Sequence, residues 1–583
     1  LSIIGSGNTT FSTGAIATGS GTLLKSNSGT LTLNADNSYT GVTTINGGTV
    51  IAASDLALGT VAGGTTVASG ATLTLSGART IGAEAITLNG TGVGGIGALT
   101  SSSNSSIAGA ITLGSNSTIS NTNDLLLSGS VSGSHNLTKI GTGTLILTGA
   151  NSYVDTTITA GTVQVGNNTA SGTLGSGNVV DNAALVFNRS DAYTYSGTIS
   201  GSGTVAQNGS DVLTLSGNNT YDGVTYVNSG TLSVDNSSNN SFTPLGATGA
   251  AKNTIVANGA TLSIAAGSAI GNESVTLNGT GVGGNGALVG NGTSSLAGLI
   301  TLGSASTISS TGTLFTLSNS GTITGSGFGL TLTGSGNGSL ASVIGTGAGT
   351  LTKTGSGTWT LTAAANAGAY TGDTNINGGT LAITDANLGS STTPSNVYIN
   401  NATLQLTGTF DLSNLVTLDS ATITNSAGSS NSFFNNINVN SGTNTVNTND
   451  GIAFANSIYG SGNLVKAGSG QFNLVGSSGT SDINGGFDGN ITINGGGFTI
   501  TTGDETFDEL CRSGKAFLDQ RKFAEAEWQF TQARDREPDN SEAYYCIGLL
   551  FSDLARPADA LAAFDRAIAL EASHAKAHNN RGA

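Results

Sequence analysis

Methionine is absent from this 583-residue sequence, cysteine occurs twice, histidine three times and proline four times. Two cysteines exclude a disulfide scaffold and a cysteine-rich metal fold. Four prolines beside 91 glycines, without a strict three-residue period, exclude collagen. No run of about 18 apolar residues occurs, which excludes a membrane-spanning helix. Charge is scarce, and 33 acidic side chains against 17 basic ones give a formal charge of −16. A nucleic-acid binder needs a basic face to neutralise phosphates, so that class is excluded as a partner. The opening residues LSIIGSGNTTFSTG have neither a basic segment nor an apolar core and do not read as a signal peptide.

What is present divides in two. Segment 1–503 holds 88 of the glycines and 25 of the charged side chains, while the much shorter segment 504–583 holds the other 25, both cysteines and two of the three histidines. This shift predicts a domain boundary between Gly503 and Asp504.

The first segment repeats. SGTLLKSNSGTLTLNADNSYTGVTTINGGTV begins at Ser20 and returns in variant form from Gly133, Gly201 and Gly347, with a decayed copy from Gly460. The interval from Lys25 to Tyr39 recurs unchanged from Lys139 to Tyr153 and from Gln207 to Tyr221. A longer duplication is also present: AITLNGTGVGGIGAL from Ala85 returns as SVTLNGTGVGGNGAL from Ser274, and ITLGSNSTIS from Ile111 returns at the same interval as ITLGSASTIS from Ile300. Within each unit the period is two: Leu31 and Leu33 point one way, Thr30 and Thr32 the other. Such strands suit a sandwich, a barrel or a solenoid. About 500 residues exceed the size at which a single globular core stops growing, which favours the solenoid.

These units resemble the autotransporter-associated β-strand repeat of secreted bacterial surface proteins, over most of residues 1–503. The resemblance implies a right-handed parallel β-helix passenger exported across a Gram-negative envelope. It further implies roughly 20–25 residues per coil, and at about 4.8 Å per coil a rod on the order of 100 Å long. The outer-membrane barrel that this resemblance leads one to expect after the passenger is not in the sequence.

The second segment has a period of 34. Gly514, Gly548 and Gly582 are so spaced, as are Ala526 and Ala560, Phe530 and Phe564, and Ala533 and Ala567. A helix pair needs a small residue where its axes cross, an aromatic beside the crossing and a helix stop such as Pro538. The pattern resembles the tetratricopeptide (TPR) repeat, in two full copies and the start of a third. The resemblance implies a concave face that binds an unknown protein or peptide, carrying Asp508, Lys515, Glu542, Tyr545, Leu549 and Lys576. Cys511 and Cys546 occupy positions where the carboxylate-binding subclass has Lys or Asn, so capture of chaperone tails is not expected. Both cysteines are expected as small buried apolar residues.

Chemistry-bearing patterns are few. GVGGIG at Gly92 and GVGGNG at Gly281 satisfy G-x-G-x-x-G, but no helix follows to aim at a pyrophosphate, so they read as glycine turns. His135 has no partner for nucleophilic catalysis and reads as a turn residue. GGFDGN at Gly485 weakly approximates a calcium turn. Asp181, Asp191, Asp211 and Asp222 form the densest acidic stretch, the place to look for the carboxylate pair of a polysaccharide lyase or hydrolase. The competing reading has each Asp cap a turn. Lys25, Lys139, Lys353 and Lys466 share one motif position and read as solvated outward residues that discourage edge pairing. Tyr39, Tyr153, Tyr221 and Tyr370 read as turn-packing residues rather than sugar platforms.

The expectation is therefore a mainly β protein, a parallel β-helix over 1–503 followed by a short helical repeat over 504–583. It is expected to act at the cell surface or outside the cell as a structural or adhesive stalk with a protein-interaction module, without enzymatic activity, cofactor or metal. A glycan or host surface is the expected contact along the β-helix. The alternatives are a polysaccharide-active enzyme and a scaffold or filament subunit assembled through the helices.

Overall fold

The computed structural model describes residues 1–239, 241, 243–247, 253–363, 370–385, 388–389, 395–475, 487–501 and 507–581. The chain divides into two compact units, Leu1–Gln405 and Leu406–Ala583. Strands are built as a parallel β-solenoid of about 22 turns. The compositional boundary at 503/504 lies outside the described residues. The last strand before it is Phe498–Thr501 and the first helix after it begins at Phe507.

In the first unit, alternation places leucines in columns. Leu31, Val50, Leu73, Leu99 and Ile119 are successive register partners, and each is fully buried. Burying each such side chain contributes about 1.5–3 kcal/mol. The long duplication reproduces part of this column as Leu262, Leu288 and Ile308. Outward positions hold threonine: Thr44, Thr66, Thr87 and Thr112 are partners on one face. Aromatic bulk is matched by absence of bulk. Phe315, Gly338 and Trp359 are successive partners, and a Cβ on Gly338 would lie 2.4 Å from the Trp359 ring.

Glycine is abundant for a reason beyond turn conformation. At the corners, backbones of successive coils approach too closely for a side chain. A Cβ on Gly129 would lie 2.1 Å from the Gly109 carbonyl oxygen, and one on Gly149 would lie 2.2 Å from that of Gly129. Gly41 and Gly63 form a similar ladder on Gly21, at 2.4 and 2.3 Å.

In the second unit, phenylalanine fills the coils. Phe433, Phe454 and Phe472 are buried and meet edge to face, with centroids 5.3 and 5.0 Å apart. Helices follow: α1 (Phe507–Asp519), α2 (Phe523–Arg536), α3 (Ser541–Asp553), α4 (Pro557–Leu570) and α5 (Ala575–Arg581). Asn540 caps α3 by accepting the Glu542 N–H, and Pro557 opens α4, where no N–H partner is needed. The period of 34 has a packing cause. A Cβ on Gly514 would lie 2.3 Å from the Phe530 ring, and one on Gly548 would lie 2.4 Å from the Phe564 ring. Cys511 and Cys546 are buried free thiols in this helical core, as expected.

Candidate functional site

The motif lysines are not solvated. Lys25, Lys139, Lys353 and Lys466 are all fully buried, which overturns the outward reading. Each sits at an inward position of a short strand, and its stem runs beneath the following corner. The Lys139 ammonium donates to the carbonyls of Ile140, Gly141 and Ala160, at 2.8, 2.7 and 3.2 Å. Lys353 donates to Thr354, Gly355 and Gly378, at 2.6, 3.0 and 2.9 Å. Lys25 and Lys466 repeat the cradle on Ser26, Asn27 and Gly47, and on Ala467, Gly468 and Gly495. Burial pulls the Lys139 and Lys353 ammoniums down to about 8. Three carbonyl acceptors for three N–H donors favour the charged form. Lys25 lies two positions after the buried Leu23 on its strand, so it shares the inward face. The lysine charge suggested the outward reading, and the corner geometry overturns it.

The motif tyrosines are also interior. Tyr39, Tyr153, Tyr221 and Tyr370 are buried, in keeping with turn packing. Their hydroxyls hydrogen-bond to Thr43, Thr156, Thr225 and Thr374 at 2.6–2.9 Å. Burial pushes Tyr39 and Tyr153 up to about 12. Beside them, Asn37, Asn151 and Asn219 each bridge three coils. Asn37 accepts from the Ile16 N–H of the coil before and donates to the Ala57 carbonyl of the coil after. Asn151 and Asn219 do the same between Val131 and Thr173, and between Ile199 and Pro244.

In the acidic stretch, Asp181, Asp191 and Asp211 each accept a hydrogen bond from a protein group. Asp181 is fully buried, and one oxygen accepts the Ala183 N–H at 3.0 Å. Burial pushes its carboxyl up to about 6. Asp191 is held by the Arg189 guanidinium through two bonds of 2.9 and 2.8 Å, and Asp211 accepts the Val212 N–H. Two further buried carboxylates escaped sequence reading. Glu84 and Glu273 stand at equivalent positions of the long duplication and accept from the Thr65 and Thr254 hydroxyls at 2.7 and 2.8 Å. The duplication carried the signal for this pair.

GVGGIG and GVGGNG form short 3-10 turns at Val93–Gly95 and Val282–Gly284. Gly485 and Gly486 of GGFDGN lie outside the described residues. Among the described residues no group of three or more His, Cys, Asp and Glu side chains is placed to hold a metal ion.

On the helices, three of the six residues expected on the concave face, Glu542, Tyr545 and Leu549, lie on α3. Lys515 donates to Glu542 at 2.6 Å, and the Lys515 and Lys576 ammoniums lie 5.9 and 6.0 Å from the Tyr545 ring centre. His574 was missed. Its Nδ1 accepts the Ala577 N–H, so Nε2 carries the proton and donates to Glu542 at 3.1 Å. Burial raises the Glu542 carboxyl, but the Lys515 hydrogen bond and charge outweigh it and leave the group below its ordinary value. Asp508 is exposed, and Leu549 packs against the helical core.

Four segments of the chain, residues 23–52, 137–165, 205–234 and 351–383, match the family described as Passenger-associated-transport-repeat. Each begins at the strand that carries Lys25, Lys139, Gln207 or Lys353. A stretch of 187 residues, 32% of the chain, is 40% identical to the Adhesin BmaC autotransporter of Brucella suis biovar 1 (strain 1330). The chain spans 5% of the length of that relative. No solved structure matches the chain.

Proposed function

We propose that this chain is an adhesive, non-enzymatic stalk segment of an autotransporter-type passenger, displayed at the cell surface or released from it. The observation that carries this reading is the similarity, over 187 residues, to a relative whose name is that of an adhesin. The matched passenger repeats, and a solenoid interior filled by leucine, tyrosine and lysine, support it. Columns such as Thr44, Thr66, Thr87 and Thr112 offer a neutral hydroxyl surface to a glycan or host surface. The non-enzymatic reading is supported by Asp181, Asp191 and Asp211, each of which is engaged by a protein group. The helical segment is a TPR-like protein-interaction module. Its period of 34 and the glycine–phenylalanine crossings support that assignment, with Lys515, Glu542, Tyr545 and Lys576 as the contact face and Asp508 and Leu549 beside them.

Retention of the purified chain on immobilised acidic and neutral polysaccharides and on matrix proteins tests the proposal. Retention on at least one surface, without release of reducing or unsaturated sugar ends, is the expected result. Release of such ends overturns the non-enzymatic reading, and retention on none overturns the adhesive one.

A further inference from the structure

Four of the five lysines before residue 503 share one buried geometry, and its third bond is the informative one. Two carbonyls of each cradle come from the lysine's own corner. The third comes from the next coil: Gly47 for Lys25, Ala160 for Lys139, Gly378 for Lys353 and Gly495 for Lys466. In every case the register partner of the lysine is an isoleucine, Ile45, Ile158, Ile376 or Ile493, and the accepting carbonyl lies two positions beyond it. Space for the ammonium is left by a glycine. A Cβ on Gly48, Gly161 or Gly496 would lie 2.8–2.9 Å from Nζ. The cradle is therefore complete only when the following coil is docked. Opening that coil breaks the third bond of the cradle, a hydrogen bond from a charged donor and so one of the stronger kind.

The repeat at residues 205–234 provides an internal contrast. Gln207 occupies the lysine position and is buried, but its amide donates to Gly209 and Asp211, at 3.0 and 2.9 Å, both in its own corner. Its register partner is Val227, and these two side-chain bonds do not cross to that coil.

We propose that each corner lysine is a latch that joins its own coil and the next into one opening unit, and that the Gln207 coil is an unlatched joint in the first unit of the molecule. The latch acts on local opening, because its cross-coil bond is absent whenever the second coil is undocked.

Native-state hydrogen exchange on the full chain tests this, with wild type, Lys139→Met and Gln207→Lys. In Lys139→Met the amides of Leu137–Ile140 and of Thr156–Ile158 should accelerate together, on the order of tenfold or more, while those of Leu351–Lys353 keep their wild-type rates. Acceleration of the first strand alone, or of neither, overturns the proposal. In Gln207→Lys the amides of Thr204–Gln207 and Thr225–Val227 should slow together. Unchanged or faster exchange there, or failure of that chain to fold, overturns it too. This second variant decides the matter by itself if Lys139→Met does not fold, since it adds a latch to an intact molecule.

Discussion

The strands and the helices are both repeats, yet they solve the same packing problem with different atoms. In the solenoid, neighbouring coils are joined backbone to backbone, so small residues face carbonyl oxygens and even a lysine is satisfied by main chain. In α1–α5, each helix satisfies its own backbone, and neighbours are joined by side chains, with Gly514 and Gly548 facing phenylalanine rings. Charge follows the same division. Lys139 is sealed inside, whereas Lys515 pairs with Glu542 at a partly exposed surface. A repeat held by backbone tolerates little change at its corners, and one held by side chains can adjust.

Paired substitutions sharpen this contrast most. Gly129→Ala places a Cβ against a carbonyl oxygen that the ladder fixes, and should cost about 3 kcal/mol or more. Gly548→Ala meets a ring that can shift, and should cost less, about 1–2 kcal/mol. Midpoints of chemical denaturation, followed separately by strand and helix signals, give both values. Equal losses would remove the distinction.

A smaller effect concerns Asp181, a buried carboxyl held by a backbone N–H rather than by a cation. Its native pKa is raised to about 6, so the folded state holds the proton more tightly than the unfolded one. Its contribution is fully present below about pH 4 and is lost as pH rises through 6, for a total of roughly 2–3 kcal/mol. Asp181→Asn should remove that part of the pH dependence and stabilise the solenoid at neutral pH. Denaturant midpoints of the two chains, compared across the acid-to-neutral range, check the sign.

The smallest effect is expected on the helices. Lys515→Met removes an ion pair that water partly screens, and should change stability by no more than about 1 kcal/mol. A larger loss, measured from the helical signal, would mean that the Lys515–Glu542–His574 cluster holds the helices together.

Much of the architecture was legible because period and composition carry it directly. Leucine at every second position identified the inward face, and the spacing of 34 identified the helical unit and its glycine–phenylalanine crossings. The tyrosines were read as packing residues, and they are. The lysines were misread because residue type suggested solvent. A column containing Ile119, Lys139, Ile158 and Asp181 shows that position overruled type. His574 and Glu542 meet from different repeats, and no local pattern announces such a pair.

The sequence by itself determined that short alternating strands pack leucine on an inward face, because that pattern follows from periodicity along a line. The tertiary structure alone decided how the interior polar groups are satisfied. A carbonyl cradle is made by two coils, and its acceptors are backbone atoms that every residue possesses, so nothing in the one-dimensional order of side chains marks them.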